Sequence, residues 1–153
     1  QLSRDVQKAF FECINEGDMI HEVRAAIHPL LEKVNDINYV SCVNRISKNP
    51  EDYKVKSVNA ATGALFYNKY ICKEERYKFL AGDSVRWVYV DHEDTKVISF
   101  RDVSELEKYT INTQVIIEKL VISKIKPICD ALGWDPYEVT GLEKPMKRRR
   151  KKK

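Results

Sequence analysis

The stretch G82-D-S-V-R-W-V-Y-V90 decides the fold. Val85, Trp87 and Tyr89 alternate with Arg86, Val88 and Val90, the two-residue period of a strand. Asp91-His92-Glu93-Asp94 follows as a polar turn and Lys96–Phe100 returns, so this region reads as a β-hairpin. Residues 37–46 read as a further strand. The flanking segments have helical spacing. Val6, Ala9, Phe10, Cys13 and Ile14 form one stripe, with Ser3 the expected N-cap and Gly17 the stop. Asp18 is the expected cap of a second helix, whose stripe is Val23, Ile27, Leu30, Leu31 and Val34 and which Pro29 should kink. Residues 58–71 read as a third helix, weakened at Gly63. The longest helix is expected over 112–132, with Ile117, Val121, Ile125, Ile128 and Leu132 as its apolar stripe, Pro127 inside it and Gly133 as its C-cap. The class is therefore α+β: a helical domain with a small antiparallel sheet or hairpin and a long C-terminal helix. The pattern fades after Trp134, which predicts a folded domain over 1–136 and a flexible segment over 137–153.

A chain of 153 residues can bury one real core. It contains no run of about eighteen apolar residues, so no membrane partner is expected. Gln1 stands where an initiator Met would, and the chain opens almost directly into a helical pattern, which reads as a fragment of a longer protein or one subunit of a split one. The net charge of +4 is a property of the tail. Residues 147–153, K-R-R-R-K-K-K, hold seven of the 27 basic residues, leaving 20 against 23 acidic ones. A mildly acidic body thus carries a strongly basic end, which reads as disordered, either solvated or a tether to nucleic acid.

Cys13, Cys42, Cys72 and Cys129 are scattered without a C-x-x-C, the usage of small core residues in a reducing, intracellular compartment such as a host cytoplasm or nucleus. His21 and His28 are too far apart in sequence for a metal pair on one helix face. Nucleotide-binding glycine loops, nucleophile elbows and zinc-protease motifs are all missing from the sequence. Carboxylate pairs such as Glu51-Asp52 and Glu93-Asp94 fall in turns, and Asp91 reads as a hairpin-turn residue. No catalytic residue, metal site or cofactor is therefore expected within the chain.

The remaining polar groups suit a phosphate backbone. Arg45, Ser47 and Lys48 leave a strand just before the rigid Pro50-Glu51-Asp52 turn, and Tyr53, Lys54 and Lys56 follow it. Such an edge presents cations and hydroxyls without reading bases. Tyr67, Asn68 and Lys69 add donors at a helix end. Lys119, Ser123 and Lys126 form a ridge on the long helix.

R45-I-S-K-N-P-E-D-Y53 resembles the thumb element [L/I]-[S/T]-K-x-P-x-x-Y of family B DNA polymerases. Its neighbours resemble the same family in order. S3-R-D-V-Q-K-A-F-F-E-C-I14 is similar to the helix that opens the thumb in phage-type members, and N59-A-A-T-G-A-L-F-Y-N-K69 to a thumb helix. G82-D-S-V-R-W-V-Y-V90 is similar to the family's G-D-x-V strand, and Tyr109 through Pro127 to Leu132 resembles the last thumb helix. The likeness covers roughly residues 3–134. It implies a thumb that grips primer–template duplex DNA by its sugar–phosphate backbone in support of DNA replication. It also implies a partner palm and exonuclease portion, the palm holding Mg ions and the nucleotide. The family's catalytic motifs D-x-x-S-L-Y-P-S, K-x-x-x-N-S-x-Y-G and Y-G-D-T-D-S are not in this sequence, so nucleotidyl transfer would belong elsewhere. The short aromatic clamp-binding peptide is also missing from the C-terminus, so the likeness does not extend to a sliding clamp. The rival expectation is a non-catalytic interaction or assembly module whose basic tail localises it or tethers nucleic acid.

Overall fold

A computed structural model describes residues 1–55 and 57–143. The fold is α+β, built around one antiparallel sheet. Strand β2 (Ser84–Asp91) is its spine. β1 (Cys42–Arg45) pairs with the first half of β2, β3 (Val97–Phe100) pairs along its other edge, and β4 (Thr110–Ile111) joins its last two residues. The expected hairpin is present, with Tyr89 opposite Val97 and Arg86 opposite Phe100.

Both faces of β2 are covered, so its two alternating sets are each largely apolar. Val88 and Val90 enter a core with Ile98 and Phe100, filled by α1 (Leu2–Asn15), α2 (Ile20–Leu31) and the C-terminal helices. Val85 and Trp87 enter a second core on the opposite face, with Ile46, Phe79 and α4 (Asn59–Phe66). Helix α4 contributes Ala60, Ala61 and Ala64 there, small residues that let it lie close to the sheet. Gly63 is the closest approach. A Cβ at that position would stand 2.5 Å from Ser99 Oγ and 2.8 Å from Ser99 N. The glycine expected to weaken this helix is thus what lets it seat.

The long helix runs as α5 (Thr113–Ile117), a π-helical turn (Glu118–Ile122) and α6 (Ser123–Leu132). The wider turn rotates the buried stripe away from the expected one. Ile116, Val121, Ile122, Ile125 and Cys129 are buried, Ile117 and Ile128 are half-buried, and Leu132 is 41% exposed. Gly133, at φ 72°, closes the helix as expected.

Other elements differ from the sequence pattern for local reasons. Ser3 is not a cap, since α1 starts at Leu2; its hydroxyl donates to Leu120 O at 2.6 Å and ties α1 to the π turn. Met19, not Asp18, precedes α2, and its N–H donates to the Glu22 carboxylate at 2.8 Å. Residues 37–40 form a one-turn helix, α3 (Ile37–Val40), because the Asp36 side chain accepts from Tyr39 N; the strand starts only at Cys42. The packed body also extends beyond residue 136. Helix α7 (Pro136–Thr140) buries Val139 completely, Arg24 Nε donates to Glu138 O at 3.0 Å, and Tyr137 donates its hydroxyl to Glu118 at 2.6 Å. That last bond, with the burial around it, pushes the Tyr137 phenol up to about 12. The basic tail 147–153 lies outside the described residues. No helix among the described residues is long and apolar enough to cross a membrane.

Candidate nucleic-acid interface

The chain leaves β1 through Arg45 and is pinned at once by Ile46. This side chain is 1% exposed, its N–H donates to Asp83 O at 3.0 Å, and its carbonyl accepts from Gly82 N at 2.7 Å. Beyond that anchor the backbone turns outward. Ser47 and Lys48 are exposed, Asn49 accepts from Ala81 N at 2.9 Å through its side-chain oxygen, and buried Pro50 opens a short 3₁₀ turn, Pro50–Asp52. Tyr53 then folds back. Its hydroxyl oxygen accepts from Ser47 N at 2.9 Å and lies 3.4 Å from Ser47 Oγ. The seven residues from Ser47 to Tyr53 therefore close on themselves. The Ser47 hydrogen bond holds the Tyr53 phenol below its ordinary range, and the Lys48 ammonium sits 5.8 Å from the Tyr53 ring centroid.

Tyr53 and Lys54 continue into a groove of about 450 Å³ lined also by Pro50, by α4 and the π turn that follows it (Tyr67–Ile71), and by Asp94 and Thr95 of the hairpin turn. Lys69 lines that wall, with its ammonium 5.2 Å from the Tyr70 ring centroid. Among the described residues, Arg45, Lys48, Lys54 and Lys69 take part in no ion pair. Glu51 and Asp52 in the turn itself and Asp94 in the groove lining carry the opposite sign, so the four cations, none within ion-pair distance of a carboxylate, leave a small positive excess for an external anion.

Other expected residues are placed differently. Tyr67 is 2% exposed; burial and its 2.8 Å hydrogen bond to Glu105 drive its phenol pKa upward and commit it to the core. Asn68 spends both ends of its amide on Phe79, accepting from its N–H at 2.8 Å and donating to its carbonyl at 2.9 Å. Both side chains are thus committed to holding the fold. On the long helix, Lys126 pairs with Asp130 at 2.8 Å, and Ser123 donates back to Lys119 O at 2.6 Å. Lys119 is exposed but lines a different cavity, of about 600 Å³, with Asn59, Tyr89, Asp91, His92 and Lys96. The ridge and the corner thus do not form one groove. Lys56 lies outside the described residues.

The apolar part of the groove escapes the sequence reading. Val55, Leu65 and Tyr70 line it at 59%, 43% and 59% exposure. A signal for it exists, since apolar residues crowd every side of the 60–71 segment rather than one stripe. Among the described residues, no group of three or more His, Cys, Asp or Glu side chains is placed to hold a metal ion. The four cysteines are free thiols; burial raises the pKa of Cys13, Cys42 and Cys129, the last to about 11. No protein-family model matches the chain, and no curated protein matches it.

Proposed function

We propose that this chain is the thumb-like part of a family B DNA polymerase, gripping primer–template duplex by its sugar–phosphate backbone while a palm and exonuclease portion, with the catalytic Mg ions, lies elsewhere. The observation that carries the reading is the unpaired cationic corner. Arg45, Lys48, Lys54 and Lys69 stand around a turn closed by the Ser47–Tyr53 hydrogen bond, and among the described residues none is in an ion pair, although Glu51, Asp52 and Asp94 share the corner. A rigid turn fixes where the charges point, and lysines act as point charges on phosphate without selecting a base. A polymerase has to move along its product, so sequence-tolerant contacts suit the task. Residues 45–53 are also the stretch that resembles the family's thumb element.

A second reading has an observation of its own. Val55, Leu65 and Tyr70 stand exposed side by side in the groove, which suits a non-catalytic assembly module docking an apolar partner segment. Duplex-DNA binding at rising salt separates the two. The duplex reading expects affinity that falls with salt, is indifferent to sequence, and survives truncation at Met146. Loss of all duplex affinity on that truncation would assign it to the tail and leave the groove to a protein partner.

A further inference from the structure

A cationic site with no carboxylate in its lining lies on the opposite face of the sheet, over the core that holds Val88 and Val90. The start of α1, the entry to β1 and the π turn with α6 enclose a cavity of about 400 Å³. Arg4 from α1, Arg86 from β2 and Lys124 from α6 line it, and no aspartate or glutamate does. Among the described residues none of the three forms an ion pair; the one side-chain partner of Arg86 is the Asn38 side-chain oxygen, at 3.4 Å. Burial raises the Cys42 thiol pKa, opposed first by the N-terminal ammonium of Gln1 and then by Lys124, both of which line the cavity.

Three exposed cations from three separate elements around one concavity give it a positive potential that favours an anion. Two guanidiniums give planar forks matched to phosphate oxygens, and the ammonium adds a point charge. The volume is in the range of small-ligand sites. We propose that Arg4, Arg86 and Lys124 form a binding site for a small phosphate-bearing polyanion, a phosphomonoester or pyrophosphate, separate from the groove at Tyr53. The proposal does not rest on the duplex-gripping reading, since none of its residues belongs to that corner.

The test uses the full chain and its Arg86→Gln and Lys124→Gln variants, both at exposed positions, with Lys78→Gln as a charge-matched control. Titration with inorganic pyrophosphate should show saturable binding that each cavity variant weakens about tenfold, the loss expected for one charge-assisted hydrogen bond, and that Lys78→Gln leaves unchanged. The basic tail is common to all four proteins and cancels in the comparison. A short oligonucleotide with a 5′-phosphate, compared with its 5′-hydroxyl form, identifies the source. A preference for the phosphorylated strand assigns a strand end, and equal weak binding of both beside tight pyrophosphate assigns a free anion; either supports the site. Pyrophosphate affinity that is the same in both cavity variants as in the parent would overturn it.

Discussion

Two lysine–serine clusters look alike in the sequence and differ in the fold. At Arg45–Lys54, the serine backbone meets a tyrosine hydroxyl and the cations have no acidic partner. At Lys119–Lys126, the serine hydroxyl turns back to its own helix and the terminal lysine pairs with Asp130 one turn later. The first is a rigid corner with available charge. The second is a solvated helix face of the kind that commonly neutralises itself at i, i+4. Composition does not separate the two; the acid within reach of each cation does.

The support beneath the corner gives the largest expected effect. Gly63→Ala puts a methyl group against Ser99 backbone and hydroxyl, so α4 must lift from the sheet. Urea denaturation should show a loss of about 1–3 kcal/mol, the usual cost of overpacking, and duplex retention should fall with it because α4 forms the groove wall. Unchanged stability would mean that α4 does not seat as closely as described.

Asn68→Ala comes next and sharpens the comparison from within the groove's own neighbourhood. It removes both bonds to Phe79 and leaves half-buried backbone groups unpaired, so a loss of about 1–3 kcal/mol is expected. The salt dependence of DNA binding should stay as it was. A reduced salt slope with full stability would place Asn68 back among the phosphate-binding groups.

A smaller effect concerns the helical side. Tyr137 has its folded pKa raised to about 12 by its bond to Glu118, so its contribution is fully present below the ordinary phenol pKa near 10. It is lost as pH rises through about 12, when the phenolate would face a carboxylate. Trp134, packed 6.1 Å from Phe10, should report loosening of α7 by fluorescence across that window. Tyr137→Phe should remove this tyrosine's share of the transition, and an identical alkaline profile would show that the bond contributes nothing.

Much of this molecule is readable from spacing alone. The hairpin is legible because strict alternation over Ser84–Val90 admits no helix, and the long helix because its apolar repeat outlasts any strand. Helix α7 is marked by Asp135 at its cap, Pro136 at its first position and Gly141 behind it, but five residues give too short a stripe to stand out. The helix at Ile37–Val40 is hidden by its β-branched residues, since a single cap at Asp36 outweighs their preference for strand. At the candidate site, Pro50 is visible as a rigid turn. The role of Tyr67 is set by Glu105, 38 positions away, and no local pattern contains that partner. The π turn is likewise a tertiary outcome: it brings Val121 and Ile122 into the core together.

The direct test of whether the corner holds duplex DNA is the slope of log affinity against log salt for the full chain and two variants. Replacing Lys48, Lys54 and Lys69 together by alanine should reduce that slope by roughly 0.9 for each phosphate that is no longer neutralised, equally for duplexes of unrelated sequence. Lys126→Ala should leave it unchanged, because that ammonium is already engaged by Asp130. If the triple variant keeps the parent's slope, or if only certain sequences are affected, the corner does not grip the backbone of a duplex.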